Sequence, residues 1–307
     1  MSNYKTVFFT LGVLQIILGV SMSIPIIIQF IFNEFDSSFI SSAIICIIFG
    51  VLFFLSNLDH EKKLSLPQAF LLTALSWITI AIFGSLPFIF SNLNLSITDS
   101  FFESMSGITT TGSTIIVNLE AVPKSILLWR AILQWLGGIG IIVMAITLMP
   151  IMNVGGMQLF KTSNRDTAEK ILPRSKQVTI RLITIYLFFT ILCCFLYNMF
   201  GMSFFDSVTH SMTTLATGGF SNYNDSIGHF NSASIEITSM IFIIFGSIPF
   251  IAYIKYLSGD KKIFFSDSQI VAFFKIIAFS VIFMFIYLSI VNKSIFEISL
   301  RSISFNV

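Results

Sequence analysis

The sequence SMSGITTTGSTII, residues 104–116, decides the fold because it is polar and glycine-containing within an otherwise apolar chain. Of the 307 residues, 55% are hydrophobic and only 10% are charged, whereas a soluble domain carries about 25% charged residues. The chain has too few polar side chains to cover a water-facing surface. It is therefore predicted to be an integral membrane protein, and the polar stretch needs an explanation within that setting.

The charge balance and the cysteines exclude several functions. The formal net charge is +2, which is not the clustered basic surface of a nucleic-acid-binding protein. The three cysteines, Cys46, Cys193 and Cys194, lie in apolar runs and lack the spacing of a disulfide framework or a metal site. No His, Asp or Glu cluster has zinc spacing, and no set of catalytic side chains stands out. We therefore expect no cofactor, no catalytic residues and no nucleic-acid partner, with membrane lipid as the surroundings.

Seven apolar runs are long enough to cross a bilayer, which takes about 20 apolar residues in a helix. They lie at 6–31, 38–57, 67–91, 125–151, 178–200, 235–257 and 269–292. The first run is too long for a signal peptide and is predicted to be retained, with a kink near Pro25. With the N-terminus in the cytoplasm, thirteen of the 17 Lys and Arg residues fall on the cytoplasmic side, so the positive-inside rule predicts that orientation.

Two intervals between these runs, 92–124 and 201–234, are too polar to span and too apolar for plain loops. The second contains SMTTLATGGFS at 211–221 and superposes on the first, without a gap, at a shift of 107 residues. The matching pairs are Asp99 and Asp206, Ser100 and Ser207, Ser104 and Ser211, Met105 and Met212, Thr110 and Thr217, and Gly112 and Gly219. A unit of helix, re-entrant segment and helix therefore occurs twice, with both re-entrant segments on the outer side.

Each re-entrant segment reads as a short helix that stops at a Thr/Gly stretch. Ser100 and Glu103 fit a capping box for the first helix, and Asp206 or Ser207 would cap the second. The C-terminal end of such a helix carries a partial negative charge that favours a cation. Glycine accepts positive φ readily and threonine adds an uncharged hydroxyl. The pattern therefore indicates an oxygen-lined site for a monovalent cation stripped of water.

Five blocks of sequence, in this order, carry a resemblance to a known family. They are SGITTTGSTI at 106–115, LQWLGGIGIIVMAITLMP at 133–150, GGMQLF at 155–160, EKILPR at 169–174 and TTLATGGFSNYN at 213–224. Over essentially its whole length, the chain resembles the pore subunit of bacterial Trk-type potassium uptake systems, in the Trk/Ktr/HKT superfamily. The resemblance implies an all-α integral membrane fold of four helix–pore loop–helix units, potassium-channel-like, around one potassium pathway, with two extra N-terminal transmembrane helices.

The resemblance also implies functional residues and partners. Gly112 and Gly219 would be filter glycines. Their neighbours would supply backbone carbonyls that coordinate dehydrated K⁺, and these are Thr109, Thr110, Thr111, Ala216, Thr217 and Gly218. The ion itself would lie at Thr110, Thr111, Thr217 and Gly218. By the same resemblance the subunit would be a homodimer in the cell inner membrane, bound to a cytosolic nucleotide-binding regulatory subunit (TrkA-like).

The predicted organisation has five parts. They are a two-helix extension at 1–66, a first repeat at 67–152, a basic cytoplasmic loop at 153–177, a second repeat at 178–257 and the start of a third repeat at 258–307. The third filter glycine would fall beyond Val307. We therefore expect the chain alone to be a truncated, non-conducting piece or half of a pore that another chain completes. A membrane-embedded enzyme is a weaker alternative, since no catalytic set converges within the spans.

Four other features receive an interpretation from sequence. The glycines of GGIG at 137–140 are expected to make helix–helix contacts, and Arg130 is expected at the membrane interface. His210 aligns with Glu103, so a role near a pore entrance is considered for it. The basic stretch 161–181 is expected either to set topology or to contact anionic lipid or a cytosolic regulator.

Overall fold

A computed structural model describes residues 4–59, 65–152, 168–291 and 300–307. Within these ranges the chain is helical, with short connecting turns. The α-helices are α1 Lys5–Ser21, α2 Ser23–Phe32, α3 Ser38–Ser56, α4 Leu66–Gly84, α5 Leu86–Phe90, α6 Ile97–Ile108, α7 Lys124–Met152, α8 Ala168–Met199, α9 Phe204–Leu215, α10 Ala233–Ser247, α11 Phe250–Leu257, α12 Ile263–Ser266, α13 Ser268–Val291 and α14 Leu300–Asn306. Two short 3₁₀ helices, Leu119–Ala121 and Ser226–Phe230, lie in the connections that precede α7 and α10.

Most of the predicted spans coincide with long helices. Five segments of the described ranges are long and apolar enough to cross a membrane, and these are Lys5–Phe32, Ser38–Ser56, Pro67–Phe90, Gln177–Met199 and Ser268–Ile290. Helix α7, with 29 residues, coincides with a sixth predicted span. Helix α8 begins at Ala168, so it extends into the predicted loop 153–177, of which residues 153–167 lie outside the described ranges together with the GGMQLF block.

The predicted span at 235–257 is broken at Ile248 and Pro249. Helices α10 and α11 meet at an angle of 85°, with Ile248 extended (ψ 135°) and Pro249 between the two helices. Proline lacks an N–H group and disfavours helical backbone in the preceding residue, which explains the break. Proline acts differently in the first span, where the helix breaks at Met22 and Pro25 lies in the first turn of α2, a position that tolerates it.

The helices pack around two larger hydrophobic cores, and α1–α3 share the first of them with α7. Helix α1 packs along α3, where a Cβ added at Gly12 would press on the backbone of α3. The first repeat consists of α4–α5, α6 and α7, with the fully buried Trp129 in its core. The second consists of α8, α9 and α10–α11, with Tyr186 and Tyr197 buried in its core. The short helices α6 and α9 are therefore enclosed by longer ones and bring their C-terminal ends toward each other.

Candidate functional site

Both short helices, α6 and α9, begin at a serine that lies three residues before an aspartate. The Asp99 N–H donates to Ser96 Oγ, and the Asp206 N–H donates to Ser203 Oγ, each at 3.1 Å. The predicted caps at Ser100 and at Asp206 or Ser207 were therefore wrong by about one turn. The correct signal was the aspartate three residues after a serine, since an acid at that position completes a capping pair. Ser203 Oγ also donates to Asp206 Oδ2 at 2.6 Å.

Both short helices end in the same backbone motif, at positions 107 residues apart. In the first, Thr110 N–H donates to the Gly107 carbonyl and Thr111 N–H to the Ser106 carbonyl. In the second, Thr217 N–H donates to the Thr214 carbonyl and Gly218 N–H to that of Thr213. This is a Schellman motif, which usually places glycine in the left-handed position. Here threonine occupies it twice, with φ of 56° at Thr110 and 55° at Thr217.

A second left-handed residue follows two positions later in each loop. We call residues 109–116 loop 1 and residues 216–223 loop 2. Gly112 has φ 81° in loop 1 and Gly219 has φ 79° in loop 2. A β-branched residue at positive φ is rare and strained, by about 1–2 kcal/mol per residue. The two loops therefore repeat one unusual backbone conformation, with left-handed residues at alternate positions.

Glycines on the outgoing helices let the loops approach closely. A Cβ added at Gly137 of α7 would overlap the Ile108 carbonyl oxygen, and one added at Gly246 of α10 would overlap that of Leu215. Both glycines also face the methyl group of the left-handed threonine of their loop. The expectation of small-residue helix contacts at GGIG is thus met at Gly137, which packs on the C-terminal end of α6.

Loop 1 is fastened by a buried ion pair. Arg130 Nε lies 2.7 Å from Glu103 Oε1, and both side chains are at most 1% exposed. The Glu103 carboxylate also accepts the Thr114 hydroxyl at 2.8 Å and the Ile115 N–H at 3.2 Å. Arg130, which was expected at the membrane interface, is buried within the protein, where the carboxylate of Glu103 compensates its charge. Arg130 Nη1 reaches across to donate to the Ser221 carbonyl of loop 2 at 2.8 Å.

Loop 2 is fastened by neutral hydrogen bonds at the corresponding positions. His210, which replaces Glu103, is buried, and its Nε2 lies 3.0 Å from Ser221 Oγ, the counterpart of Thr114. Its Nδ1 lies 2.9 Å from the Asp206 carbonyl. A carbonyl only accepts, so Nδ1 donates, and Nε2 of the neutral ring then accepts the Ser221 hydroxyl.

Asp206 anchors the outer part of loop 2. Its Oδ1 accepts the side-chain amide of Asn222 at 2.8 Å, and its Oδ2 accepts the Tyr223 hydroxyl at 3.1 Å. In loop 1 the counterpart Asp99 is partly exposed. The aspartate therefore lies in the first turn of a short helix in both repeats, but only in the second does its carboxylate also hold the chain at Asn222 and Tyr223.

The two loops touch each other. A Cβ added at Gly112 would overlap the Gly218 carbonyl oxygen. Gln134 of α7 lies beneath this junction, with Oε1 accepting the Phe220 N–H at 3.1 Å. Its Nε2 is buried and lacks a hydrogen-bond partner among the described residues.

A second link joins the segments that follow the two loops. Glu120 accepts the Asn224 N–H at 3.0 Å and its side-chain amide at 2.8 Å, while Asn224 Oδ1 accepts the Leu119 N–H. The Asn224 N–H bond is the main cause that lowers the pKa of Glu120 below its ordinary value of 4.5. The carboxylate form of Glu120 thus joins the repeats.

The eight candidate residues lie at the C-terminal ends of α6 and α9 and in the loops that follow, and the two loops touch at Gly112 and Gly218. Of the eight, Thr111, Thr217 and Gly219 are exposed, and Ala216 and Gly218 are buried. Sequence reasoning did not identify three residues that support the loops, namely Glu103, Arg130 and Gln134. A charged residue within an apolar span is expected to have a buried partner, so Arg130 could have been paired with Glu103 from sequence.

The chain matches a known protein family and is similar to curated proteins. Residues 36–300 match the family described as "TrkH: Cation transport protein". The chain is 39% identical over 272 residues to the "Trk system potassium uptake protein TrkI" of Halomonas elongata, with 88% of this chain and 55% of the relative covered. It is 35% identical over 272 residues to the "Trk system potassium uptake protein TrkH" of Escherichia coli K12, with 87% and 56% covered.

A solved structure shares the fold. The crystal structure of the potassium transporter TrkH from Vibrio parahaemolyticus superposes with a TM-score of 0.87 and 30% identity, over 99% of this chain and 62% of that chain. The chain spans about half the length of the curated relatives it matches. The helical fold predicted from sequence is confirmed by this likeness.

Proposed function

Because this chain belongs to the TrkH family of cation transport proteins, we propose that loops 1 and 2 form part of the selectivity filter of a Trk-type potassium uptake pore. The family is one of transporters rather than enzymes, and the chain is a multi-pass membrane protein. One observation carries the proposal: left-handed backbone recurs at Thr110 and Gly112 and again at Thr217 and Gly219.

Alternating left-handed residues suit carbonyl coordination. In extended chain, successive peptide groups point to opposite sides. Left-handed residues at every second position turn successive carbonyls toward the same side, so a short loop can offer several oxygens to one ion. Rings of such carbonyls replace the hydration shell of K⁺ in potassium-selective filters. We assign the coordinating carbonyls to Thr110, Thr111, Thr217 and Gly218, with Thr109 and Ala216 at the helix ends.

The electrostatics support a monovalent cation. The C-terminal ends of α6 and α9 meet at the loops, and each carries a partial negative charge. Neither loop contains a charged side chain. The charge of Arg130, which lies behind the loops, is paired with Glu103. The junction thus offers partial negative charge without the acidic ring typical of cation channels that use side chains.

We further propose how the chain is assembled and oriented in the membrane. Their names make them parts of Trk potassium uptake systems. We propose a homodimer in the inner membrane, with a cytoplasmic N-terminus and a cytosolic nucleotide-binding regulatory subunit. The Lys and Arg distribution supports the orientation.

A chimera tests the proposal. This chain replaces the matching region of TrkH from Vibrio parahaemolyticus, to which it is 34% identical over 280 residues, in a host that lacks its own potassium uptake. We expect rubidium uptake and growth at low potassium. A chimera that inserts normally but transports no rubidium, beside an active parent, contradicts the proposal.

A further inference from the structure

A large apolar groove opens between the second repeat and helices α12 and α13, away from the Thr/Gly loops. Its volume is about 890 Å³, within the range of about 300–1,000 Å³ of small-molecule sites. Ile185 and Phe188 of α8 form one wall, and Phe274 and Lys275 of α13 form the other. The bent pair α10–α11 and helix α12 form its floor, since α11 turns away from α10 at 85° and leaves space beside α8.

The groove contains almost no groups that a polypeptide backbone or a polar ligand would bind. Tyr253 lines it, but its hydroxyl donates to the Phe245 carbonyl at 2.9 Å. A non-helical protein segment placed there would leave its backbone groups unsatisfied, which is unfavourable within a membrane. An alkyl chain has no such groups, so the lining selects for one.

Lys275 is a charged residue in the otherwise uncharged lining of the groove. None of the three ion pairs within the described ranges includes it. Residues three and four positions away on a helix are its neighbours, and these are apolar: Val271, Ala272, Ala278 and Phe279. A cation within a membrane-spanning helix requires a partner or access to the interface. Lys275 is seven residues from the start of α13, about 10 Å along the axis, so its stem can reach the headgroup level.

Other charges near the groove favour an anionic ligand. Lys255, Lys261 and Lys262 adjoin lining residues of α11 and α12, against two acids in the same turns, Asp260 and Asp267. Basic residues at this boundary attract anionic headgroups by about 1 kcal/mol each. We infer that the groove binds one acyl chain of an anionic phospholipid, with the lipid phosphate at Lys275.

Fluorescence quenching tests this inference in the reconstituted protein. Phe188→Trp places a reporter in the groove. Phe195→Trp is the matched control, on the same helix, 62% exposed and outside the groove lining. Vesicles of phosphatidylcholine carry a minor fraction of brominated phosphatidylglycerol or brominated phosphatidylcholine, and the signal of the native tryptophans is subtracted. We expect the Phe188→Trp reporter to prefer the phosphatidylglycerol quencher by about fivefold, the factor for one lysine.

Two further variants complete the test. Lys275→Gln is expected to abolish the preference at residue 188, Lys275→Arg to keep it, and neither to change quenching at residue 195. If residue 195 is quenched but residue 188 is not, protein fills the groove and the inference fails. Equal quenching of residue 188 by both lipids, with or without Lys275, identifies bulk lipid only and also overturns it.

Discussion

Loops 1 and 2 have one backbone conformation but are held in place by different chemistry. Both follow a helix that ends in a Schellman motif with threonine at positive φ, and both continue to a left-handed glycine. Behind loop 1 lies the buried Glu103–Arg130 ion pair, whereas His210 makes neutral hydrogen bonds behind loop 2. The backbone is therefore the common requirement, and the support is free to differ between repeats.

The two supporting networks also differ in whether they reach the other repeat. Arg130 belongs to the first repeat, yet it donates to the Ser221 carbonyl of loop 2. Within the described ranges, the network of His210 and Asp206 stays inside the second repeat. Damage to the ion pair should consequently disturb both loops, while damage to the neutral network should remain local.

The largest expected effect comes from breaking the ion pair. Glu103→Gln leaves the Arg130 charge buried without its partner, which costs about 3–5 kcal/mol. His210→Gln, at the corresponding position, removes neutral hydrogen bonds and costs about 1–3 kcal/mol. Thermal unfolding of the purified variants measures both. The double variant Glu103→Gln/Arg130→Met should regain part of the loss, and equal destabilisation by the two single variants would refute the contrast.

The filter glycines should also differ. Gly112→Ser and Gly219→Ser both place a side chain at positive φ, at about 1–2 kcal/mol each. Only Gly112 has the Gly218 carbonyl in the way, and no described atom lies within 4 Å of a Cβ at Gly219, so overpacking adds about 1–3 kcal/mol at Gly112. We expect Gly112→Ser to lower the preference of the chimera for rubidium over sodium uptake more strongly than Gly219→Ser does. Unchanged selectivity in Gly112→Ser would count against its filter assignment.

The glycines of the outgoing helices should behave alike. Gly137→Ala and Gly246→Ala each press on the last carbonyl of a pore helix, and each should cost about 1–3 kcal/mol. Gly140→Ala is the control, because nothing lies within 4 Å of its added Cβ and alanine favours the helix by about 1 kcal/mol. Unfolding midpoints measure all three. A tolerated change at only one of the two sites would show that the repeats contact their loops differently.

The smallest effect is expected at the outer link. Because the folded-state pKa of Glu120 is lowered, the link stabilises the fold above the ordinary pKa and is lost as the pH falls through the lowered value. Glu120→Gln should therefore remove a small acid-dependent part of the unfolding midpoint. Asp225→Asn, an exposed neighbour, is the control. An unaltered pH profile in Glu120→Gln would argue that Asn224 alone holds the loops together.

The repeat and the helical fold were predictable because long apolar runs and a gap-free shift of 107 residues are visible in the sequence. A break at Pro249 is what proline favours, but its angle of 85° was not predictable, since hydropathy measures length and apolarity but not direction. The caps were misplaced because Ser100 and Glu103 also fit a capping box, so that two signals compete at the helix start, and the geometry selects Ser96 and Ser203. The role of Arg130 depends on which side of α7 faces α6, which composition does not reveal.

The most direct test of the proposed filter is the anomalous scattering of thallium or rubidium in crystals of the chimera. We expect a peak where the two loops meet, within coordination distance of the carbonyl oxygens of Thr110, Thr111, Thr217 and Gly218. Ordered loops without a peak there, or a peak only at acidic side chains elsewhere, would contradict it.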